Sequence, residues 1–377
     1  MSKRGENIYK RKDNRWEARY VKCRANDGRA IYGYCYGKTY REAKQKAELA
    51  KNELMNYGFI QSNQKQRFSF YCDEWLRLNQ SKVKESTYVK YLFIMEKHII
   101  PHLGDYRVQY LSSIVIEEFS SELLSSGLAP KTVRDILTVL RAVFRHIARL
   151  HPGLLKPIDV VYPKEPRHEM RVLTLEEQKR FMRYLLNDMD ECKFGVLLAL
   201  CAGLRIGEVC ALRWRDISLT DRTIRVSATM QRIRNLDINA DTRTKIIISE
   251  PKSDHAVRFI PMTDLAAKLC RQRSCQNPEA FVLTGEVDRY IEPRSLQYRF
   301  RNYTKDCDLE GVHFHVLRHT FATRCVEVGF EIKSLSEILG HSSPQITLER
   351  YVHVSMELKR VNMEKLQQLD FSLRNCI

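Results

Sequence analysis

The sequence lacks the features that mark disulfide-bonded, membrane-spanning and secreted proteins. Its 11 cysteines include no C-x-x-C pair, and Cys201 and Cys210 lie in apolar helical runs. That placement indicates free thiols in a reducing compartment. The longest apolar stretch, Phe194 to Leu204, is far shorter than the roughly 20 residues that a membrane helix needs. Residues 1–12 are basic without an apolar segment, so we expect no secretory signal and a soluble, cytoplasmic protein.

Acidic residues are also in short supply. Asp and Glu number 46 against 63 Lys and Arg, which gives a formal net charge of +17. The excess favours a polyanionic partner, with nucleic acid as the leading candidate. A basic protein with an ordinary solvated surface explains the charge equally well. The 377 residues, 44% of them hydrophobic, predict two or three domains with a sizeable core.

Residues 1–60 are predicted to form a three-stranded sheet and one helix. Aromatic and β-branched runs between Asn7 and Tyr36 alternate with turn signals, and Thr39 with Glu42 forms a helix-capping pair. Basic residues alternate with aromatics on the strands, which suits a sheet face laid against DNA. An ordinary half-buried sheet with basic edges has the same pattern. The candidate DNA contacts here are Lys10, Arg11, Arg15, Trp16 and Arg19.

Residues 66–152 are predicted to form a helical domain, because apolar residues recur there at three- and four-residue spacing. Polar, Gln-rich residues before it and a proline-containing stretch at 151–171 are predicted linkers. The expected helices lie near 68–79, 85–100, 113–126 and 130–150. On the last helix, the candidate DNA contacts are Lys131, Arg134 and Arg141.

Residues 170–377 are predicted to form a mixed, mainly helical domain with a small antiparallel sheet. Thr174 and Glu177 form a helix start. The expected helices lie near 175–189, 191–202 and 206–213, followed by a strand-rich stretch at 222–261 and further helices. The segment 230–250 is predicted to add a hairpin that touches DNA or a neighbouring subunit. The chain as a whole is therefore expected to be a multidomain α+β protein.

The last domain contains two short sequences with basic residues at turns. Arg205 follows Gly203 at the turn into a helix, where a guanidinium can grip a phosphate with two hydrogen bonds. A structural ion pair between Arg205 and Glu208 is the simpler interpretation of that arginine alone. Lys252 is predicted to lie near a hairpin tip, from which it could donate a proton to a leaving oxygen. Most lysines in such places are merely surface residues.

Two further sequences contain histidines. His315 and Arg318 are three residues apart and share one face of a helix. His315 and His319 have a zinc-compatible spacing, but no third ligand is evident, so no metal site is expected. Gly340 should end a helix before His341, and Tyr351 follows on the next helix. Packing is the default explanation for one of 18 tyrosines.

The order and spacing of these elements resemble the active-site set of the tyrosine recombinases, the phage integrase family. The residues that carry the resemblance are Arg205, Lys252, His315-Val-Leu-Arg318, Leu-Gly-His341 and Tyr351. The helical domain resembles the core-site DNA-binding domain of that family. The N-terminal sheet resembles the arm-site domain of integrases from conjugative transposons of Gram-positive bacteria.

The resemblance implies a DNA strand-transfer enzyme in which Tyr351 attacks the scissile phosphate and forms a 3′-phosphotyrosine. Arg205 and Arg318 would hold the phosphate oxygens, and Lys252 would protonate the leaving 5′-oxygen. His315 would serve as a base or charge stabiliser, and His341 would bind the phosphate or orient the tyrosine. In a supporting role, Glu208 and Asp216 would orient Arg205.

The resemblance also implies how such an enzyme works with its partners. No cofactor or metal is expected, and the partner is double-stranded DNA at element ends and target sites. A homotetramer would assemble on a Holliday junction in the bacterial nucleoid, with an accessory DNA-bending or excision factor as a further partner. An amphipathic helix over 355–373 would dock on its own or a neighbouring subunit. The alternatives are a type IB topoisomerase and a non-catalytic DNA-binding regulator.

Overall fold

The structure, a computed structural model of the protein, describes residues 7–24, 29–56, 66–166, 170–237, 239–249, 257–351 and 363–364. It divides into two compact units, Met1–Pro166 and Arg167–Ile377. Each unit contains both helices and antiparallel strands, so the predicted multidomain α+β class is confirmed. The finer division into three domains stays a prediction, and most of the first predicted linker lies outside the described residues.

The first unit begins with an antiparallel sheet in the order β1-β2-β3, followed by a helix. These elements are β1 (Ile8–Lys10), β2 (Trp16–Arg24), β3 (Ala30–Gly37) and α1 (Tyr40–Asn56). The predicted cap is present, because Thr39 Oγ1 accepts a hydrogen bond from the backbone N–H of Glu42 at 3.2 Å. The predicted sheet and helix are therefore confirmed.

The two faces of this sheet differ in burial because successive side chains on a strand point to opposite sides. Trp16 and Ala18 face α1, and the Trp16 ring centroid lies 5.2 Å from that of Tyr40. On the other face, Tyr34 and Tyr36 are exposed beside their β2 partners. The sheet thus buries one aromatic stripe and presents a second one to solvent.

Helices make up the rest of the first unit. They are α2 (Phe68–Asn79), α3 (Glu85–Ile94), α4 (Ile100–Leu103), α5 (Ser113–Ser125) and α6 (Pro130–Leu150). A π-helical turn, Met95–Ile99, joins α3 to α4, so the helix predicted over 85–100 continues to Leu103. The helical core extends beyond residue 152, because Leu154 and Val160 are buried against it. The start of the predicted second linker therefore belongs to this core.

The second unit contains eight α-helices and five strands within its described residues. The helices are α7 (Leu175–Leu186), α8 (Glu191–Ala202), α9 (Ile206–Ala211), α10 (Asp264–Gln272), α11 (Pro293–Asp306), α12 (His315–Glu327), α13 (Ile332–Leu339) and α14 (Pro344–Tyr351). The strands are β4 (Ile217–Ser218), β5 (Thr223–Val226), β6 (Thr229–Arg234), β7 (Thr244–Ser249) and β8 (Arg258–Pro261). One sheet has the order β4-β5-β8, and β6 pairs with β7 as the predicted hairpin.

The buried helix α8 lies at the centre of the second unit, and α12 packs against it. Gly203 ends α8 with a φ of +65°, a conformation that glycine adopts without strain. A Cβ at this position would lie 2.6 Å from the Phe321 ring of α12. Glycine therefore lets the end of α8 approach α12 closely, and this approach brings the functional side chains together.

Candidate active site

Arg205 lies at the start of α9 and is held by Glu208 one turn later. The backbone N–H of Arg205 donates to Glu208 Oε2 at 2.9 Å, and its Nη1 donates to Oε1 at 2.8 Å. The Arg205 side chain is still 40% exposed, whereas the Glu208 side chain is 8% exposed. The ion pair that is the simpler interpretation of Arg205 is therefore present, and it leaves part of the guanidinium open to an incoming anion.

A second arginine, Arg258 at the start of β8, fixes Glu208 from the other side. Its Nη1 and Nη2 donate to the two carboxylate oxygens at 3.0 and 2.8 Å, and both side chains are buried. Burial alone would raise the pKa of Glu208, but the hydrogen bonds and charge of Arg258 outweigh it and lower this pKa to about 2. Glu208 is therefore a fixed anion that orients Arg205.

Arg258 also connects this arrangement to α13. Its Nε donates to the carbonyl oxygen of Ile338 at 2.7 Å. Gly340 ends α13 with a φ of +62°, and a Cβ there would lie 3.0 Å from the Arg258 side chain. One buried guanidinium thus links the start of α9 to the turn that precedes His341.

Arg318, on α12, is almost completely buried at 1% exposure. Its Nη1 donates to the carbonyl oxygen of Gly203 at 2.9 Å, and its Nη2 donates to that of Leu339. These carbonyls lie at the ends of α8 and α13, where the helix dipole favours a cation. Burial and the nearby Arg205 lower the pKa of Arg318 to about 9, so its guanidinium stays charged at neutral pH.

The histidines of α12 form a pair on one face of the helix. The ring centroids of His315 and His319 lie 4.6 Å apart, with the rings nearly perpendicular. His319 is the more buried of the two, and its Nδ1 lies 2.9 Å from the hydroxyl oxygen of Tyr351. His319 is therefore the histidine that shares a hydrogen bond with the tyrosine hydroxyl, and the predicted role of His315 as a base or charge stabiliser stays a prediction.

Tyr351, at the end of α14, is buried between two histidine rings. The ring of His341 is parallel to it at a centroid distance of 6.2 Å. His341 Nδ1 lies 2.8 Å from the hydroxyl oxygen of Thr347, which is itself fully buried on α14. His341 is thereby fixed against the helix that carries the tyrosine.

The site carries more positive than negative charge, and this charge shifts the pKa values of its histidines and tyrosine. Burial, then the charges of Arg318 and Arg205, lowers the pKa of both His315 and His341 to about 4. Burial raises the pKa of Tyr351, and the neighbouring arginines oppose that shift. Before DNA binds, the site therefore holds charged arginines, neutral histidines and a protonated tyrosine.

The structure does not bring every predicted site residue into this cluster. Lys252 lies outside the described residues. The strands on either side of it, β7 and β8, belong to different sheets, so they do not form the hairpin that was predicted to place this lysine. Asp216 does not orient Arg205: it accepts hydrogen bonds from the Arg213 backbone N–H and the Ser227 hydroxyl.

The predicted DNA contacts of the sheet divide between its two faces. Arg19 lies on the outer face, with its guanidinium carbon 3.5 Å from the Tyr32 ring centroid. Trp16 instead packs in the small core against α1. The remaining candidates are exposed: Lys10 beside the β1–β2 turn, Arg11 hydrogen-bonded to Glu17, and Arg15 hydrogen-bonded to Asp13.

The predicted DNA contacts of α6 share one exposed face of that helix. Lys131, Arg134 and Arg141 are all exposed and follow three- and seven-residue spacing. Arg134 forms an ion pair with Glu165 at 3.5 Å. The face is accessible and basic, as a phosphate-binding surface needs to be.

Sequence reasoning missed two residues of the site. Arg258 lies in the predicted strand-rich stretch at 222–261, and an arginine on a short buried strand needs an anionic partner. His319 was considered only as half of a metal site. Within the described ranges, no three His, Cys, Asp or Glu side chains lie close enough together to hold a metal ion.

Two regions of the chain match known protein families. Residues 171–357 match the phage integrase family, and residues 67–124 match the N-terminal SAM-like domain of phage integrases. The chain therefore belongs to the phage integrase family and is a tyrosine recombinase, an enzyme of site-specific DNA recombination. DNA is accordingly its partner.

Several individual proteins are similar over most of the chain. A protein described as tyrosine recombinase XerC-like, from Caldanaerobacter subterraneus subsp. tengcongensis, is 28% identical in an alignment 373 residues long, and the alignment covers 92% of this chain and 94% of that protein. The ICEBs1 integrase of Bacillus subtilis is 26% identical in an alignment 307 residues long, which covers 76% of this chain and 78% of that protein.

Solved integrase structures share the fold. The Tn1549 transposon integrase in complex with a circular intermediate DNA superposes with a TM-score of 0.67 at 21% identity, over 80% of this chain and 100% of that chain. A lambda integrase tetramer bound to a Holliday junction gives 0.55 at 17% identity, over 90% and 96%. Among the described residues, no helix is both long and apolar enough to cross a membrane.

Proposed function

We propose that this recombinase integrates and excises a mobile genetic element by cutting and rejoining DNA through a phosphotyrosine at Tyr351. The observation that carries the proposal is the surroundings of the Tyr351 hydroxyl. It lies 2.9 Å from a neutral histidine and close to the charges of Arg205 and Arg318. The similarity to ICEBs1 integrase and to a transposon integrase supports a mobile element as the substrate.

In this mechanism, Arg205 and Arg318 bind the non-bridging oxygens of the scissile phosphate. Their positions are fixed before DNA arrives, by Glu208 and by two helix-terminal carbonyls. Prearranged charge of this kind stabilises the transition state without further rearrangement, at roughly 2.7–4 kcal/mol for each contact. The surplus positive charge of the site makes a phosphate the complementary ligand.

Tyr351 attacks the phosphorus in line, which gives a 3′-phosphotyrosine and a free 5′-hydroxyl. Lys252 is the proposed general acid for the departing 5′-oxygen, and this assignment rests on the family resemblance. His341 holds the ring of Tyr351 in place, and His315 stabilises the developing phosphate charge by donating a hydrogen bond from its neutral ring. The energy of the broken bond is kept in the phosphotyrosine, so the 5′-hydroxyl of another strand can reverse the step.

Strand exchange between two duplexes requires several active sites, so we infer a homotetramer and a Holliday-junction intermediate. The lambda integrase tetramer on such a junction supports this inference at the level of fold. The exposed faces of the N-terminal sheet and of α6 are the proposed DNA-binding surfaces. An accessory bending or excision factor, and docking of the C-terminal segment, stay predictions.

The test is a recombination assay with the purified full chain. The substrates are a plasmid with the joined ends of the circular element that encodes the chain, and a labelled duplex of its insertion site. We expect a joined product with the unchanged chain and none with Tyr351→Phe. Tyr298→Phe, at an exposed tyrosine of α11, is the matched control and should recombine normally.

Other outcomes would separate the alternatives. Relaxation of supercoiled plasmid without any joined product would favour a topoisomerase-like activity. DNA binding without cleavage of either substrate would favour a non-catalytic regulator. Either result would contradict the proposal.

A further inference from the structure

We propose that His319 is the group that takes the proton from Tyr351 during DNA cleavage and returns it during rejoining. The inference deepens the proposed function and rests on it, because it assigns a proton acceptor to the same nucleophile. His319 would then be a catalytic residue in its own right, whereas His315 acts on the phosphate.

The geometry of the tyrosine hydroxyl supports this assignment. Among the hydrogen bonds of the described residues, its partner is Nδ1 of His319, at 2.9 Å. A general base must lie about 2.6–3.2 Å from the atom whose proton it accepts. His319 and Tyr351 are 7% and 6% exposed, so little water can replace the histidine in this role.

The position of His315 explains why it is not the acceptor. It lies one helical turn before His319, and its ring contacts the ring of His319 at a centroid distance of 4.6 Å. Among the hydrogen bonds of the described residues, none joins His315 to the Tyr351 hydroxyl, whose histidine partner is His319. We therefore assign His315 to the phosphate rather than to the tyrosine proton.

The protonation states are compatible with this proton transfer. Burial, then His315 and Arg350, lowers the pKa of His319 to about 4, with smaller contributions from His313 and Arg318. The neutral ring can keep its proton on Nε2 and accept the Tyr351 O–H at Nδ1. Because burial also raises the pKa of Tyr351, the proton stays on the tyrosine until attack begins.

Substrate binding changes this balance. A phosphate held between Arg205 and Arg318 places a negative charge beside Arg318, one of the cations that lower the pKa of His319. Its basicity should therefore rise when DNA is bound. As the Oη–P bond forms and the P–O5′ bond breaks, the tyrosine proton moves to Nδ1, and O5′ leaves with a proton from a separate donor. The proton returns to Oη when a 5′-hydroxyl attacks the phosphotyrosine.

The test combines histidine variants with a more acidic nucleophile. Full-length chain is prepared with either tyrosine or trifluorotyrosine at position 351, and with His319, His319→Asn or His315→Asn. The initial rate of covalent adduct formation is measured on a nicked duplex of the joined element ends. Asparagine offers an amide near the position of Nδ1 but cannot accept a proton, and a DNA mobility shift checks that each variant folds and binds. His319→Gln is the second variant if His319→Asn fails that check.

With tyrosine at position 351, we expect His319→Asn to form adduct at least about 100-fold more slowly, since general bases contribute roughly 10²–10⁴-fold. The more acidic phenol needs less help from a base. With trifluorotyrosine, the loss caused by His319→Asn should therefore shrink at least about tenfold, while the loss caused by His315→Asn should not change.

Three results would overturn the inference. The first is that His319→Asn, with tyrosine at position 351, forms adduct at a rate within about threefold of the unchanged chain. The second is that His319→Asn loses the same factor in rate with tyrosine and with trifluorotyrosine, which indicates a positioning role only. The third is that trifluorotyrosine reduces the loss of rate caused by His315→Asn and leaves the loss caused by His319→Asn unchanged. Absence of adduct from the chain with both histidines and tyrosine in place would instead contradict the proposed function itself.

Discussion

The candidate active site and the outer face of the N-terminal sheet both contain arginines and aromatic rings, but their arginines differ in burial and in the groups with which they pair. In the cluster, Arg258 and Arg318 are buried, and each donates to fixed oxygens. On the sheet, Arg11 and Arg15 are largely exposed and pair with nearby carboxylates. Chemistry on a phosphate requires prearranged charge, whereas binding along a duplex can use mobile side chains that adapt to it.

The comparison predicts the largest effect for Arg318→Lys. An ammonium cannot hold the Gly203 and Leu339 carbonyls and also present a planar fork to phosphate. We expect adduct formation on nicked DNA to slow by about 10²–10³-fold, with DNA affinity almost unchanged. Arg225→Lys, at an exposed position of β5, is the control and should form adduct at a rate within twofold of the unchanged chain. If Arg318→Lys formed adduct within threefold of that rate, the buried geometry of Arg318 would not be required.

The next effect concerns stability. Arg258→Met leaves Glu208 buried with one of its two arginine partners removed, which should lower the free energy of unfolding by about 3–5 kcal/mol. Arg289→Met removes exposed ion pairs with Glu191 and Glu286 and should lower the free energy of unfolding far less, because water screens both pairs. Urea unfolding of the second unit can be followed through Trp214 after Trp16→Phe and Trp75→Phe. Equal losses in the two variants would contradict the distinction between buried and exposed pairs.

The two regions should also differ in their response to acid. Folding lowers the pKa of His315, His319 and His341 from about 6.5 to about 4, so between these values the unfolded chain binds more protons. The stability of the second unit should therefore fall as pH decreases from about 6.5. Each histidine contributes up to about 1.4 kcal/mol per pH unit, less where water reaches the half-buried His315 and His341.

In the sheet, its β1–β2 turn and α1, the groups with lowered pKa are the carboxylates Glu17, Asp13 and Glu42. Their contribution is lost only when pH falls below the ordinary carboxylate range, near 4. Single-tryptophan chains that keep Trp214 or Trp16 report on the two regions separately. If the stability reported by Trp16 began to fall at the same pH as the stability reported by Trp214, this difference would be contradicted.

The smallest effect is expected at the sheet surface. Arg19→Gln should weaken binding to element-end DNA about tenfold or less and reduce its salt dependence by about one charge. The rate of cleavage once DNA is bound should not change. Trp16→Phe serves as the control, since Trp16 packs against α1 rather than on the outer face. Stronger loss of binding with Trp16→Phe than with Arg19→Gln would reverse our assignment of the two faces.

Much of the site could be predicted because its motifs are local. Arg205 and Glu208 lie within one helical turn, and His315 and Arg318 share a helix face, so short sequences define them. Helix ends at Gly203 and Gly340 follow from the same local rules. The two faces of the sheet also follow from the sequence, because strict alternation from Trp16 to Tyr20 places Trp16 and Arg19 on opposite sides.

The rest depends on contacts between distant parts of the chain. Glu208 and Arg258 are 50 residues apart, and His319 and Tyr351 are 32 apart. Helical periodicity places His315 and His319 on one face, but only the packing of α14 against α12 decides which ring meets the tyrosine. Asp216 was misassigned for the same reason, because its partner Ser227 lies after a strand whose position the sequence does not specify.

The identity of the nucleophile can be tested by trapping the full chain on nicked DNA of the joined element ends and mapping the adduct by mass spectrometry. The buried cluster around α12 and α14 predicts a single nucleotide-bearing peptide, with the phosphate linked to Tyr351, and no adduct from Tyr351→Phe. An adduct on any other residue, or one that persists in Tyr351→Phe, would contradict the assignment of this cluster as the active site.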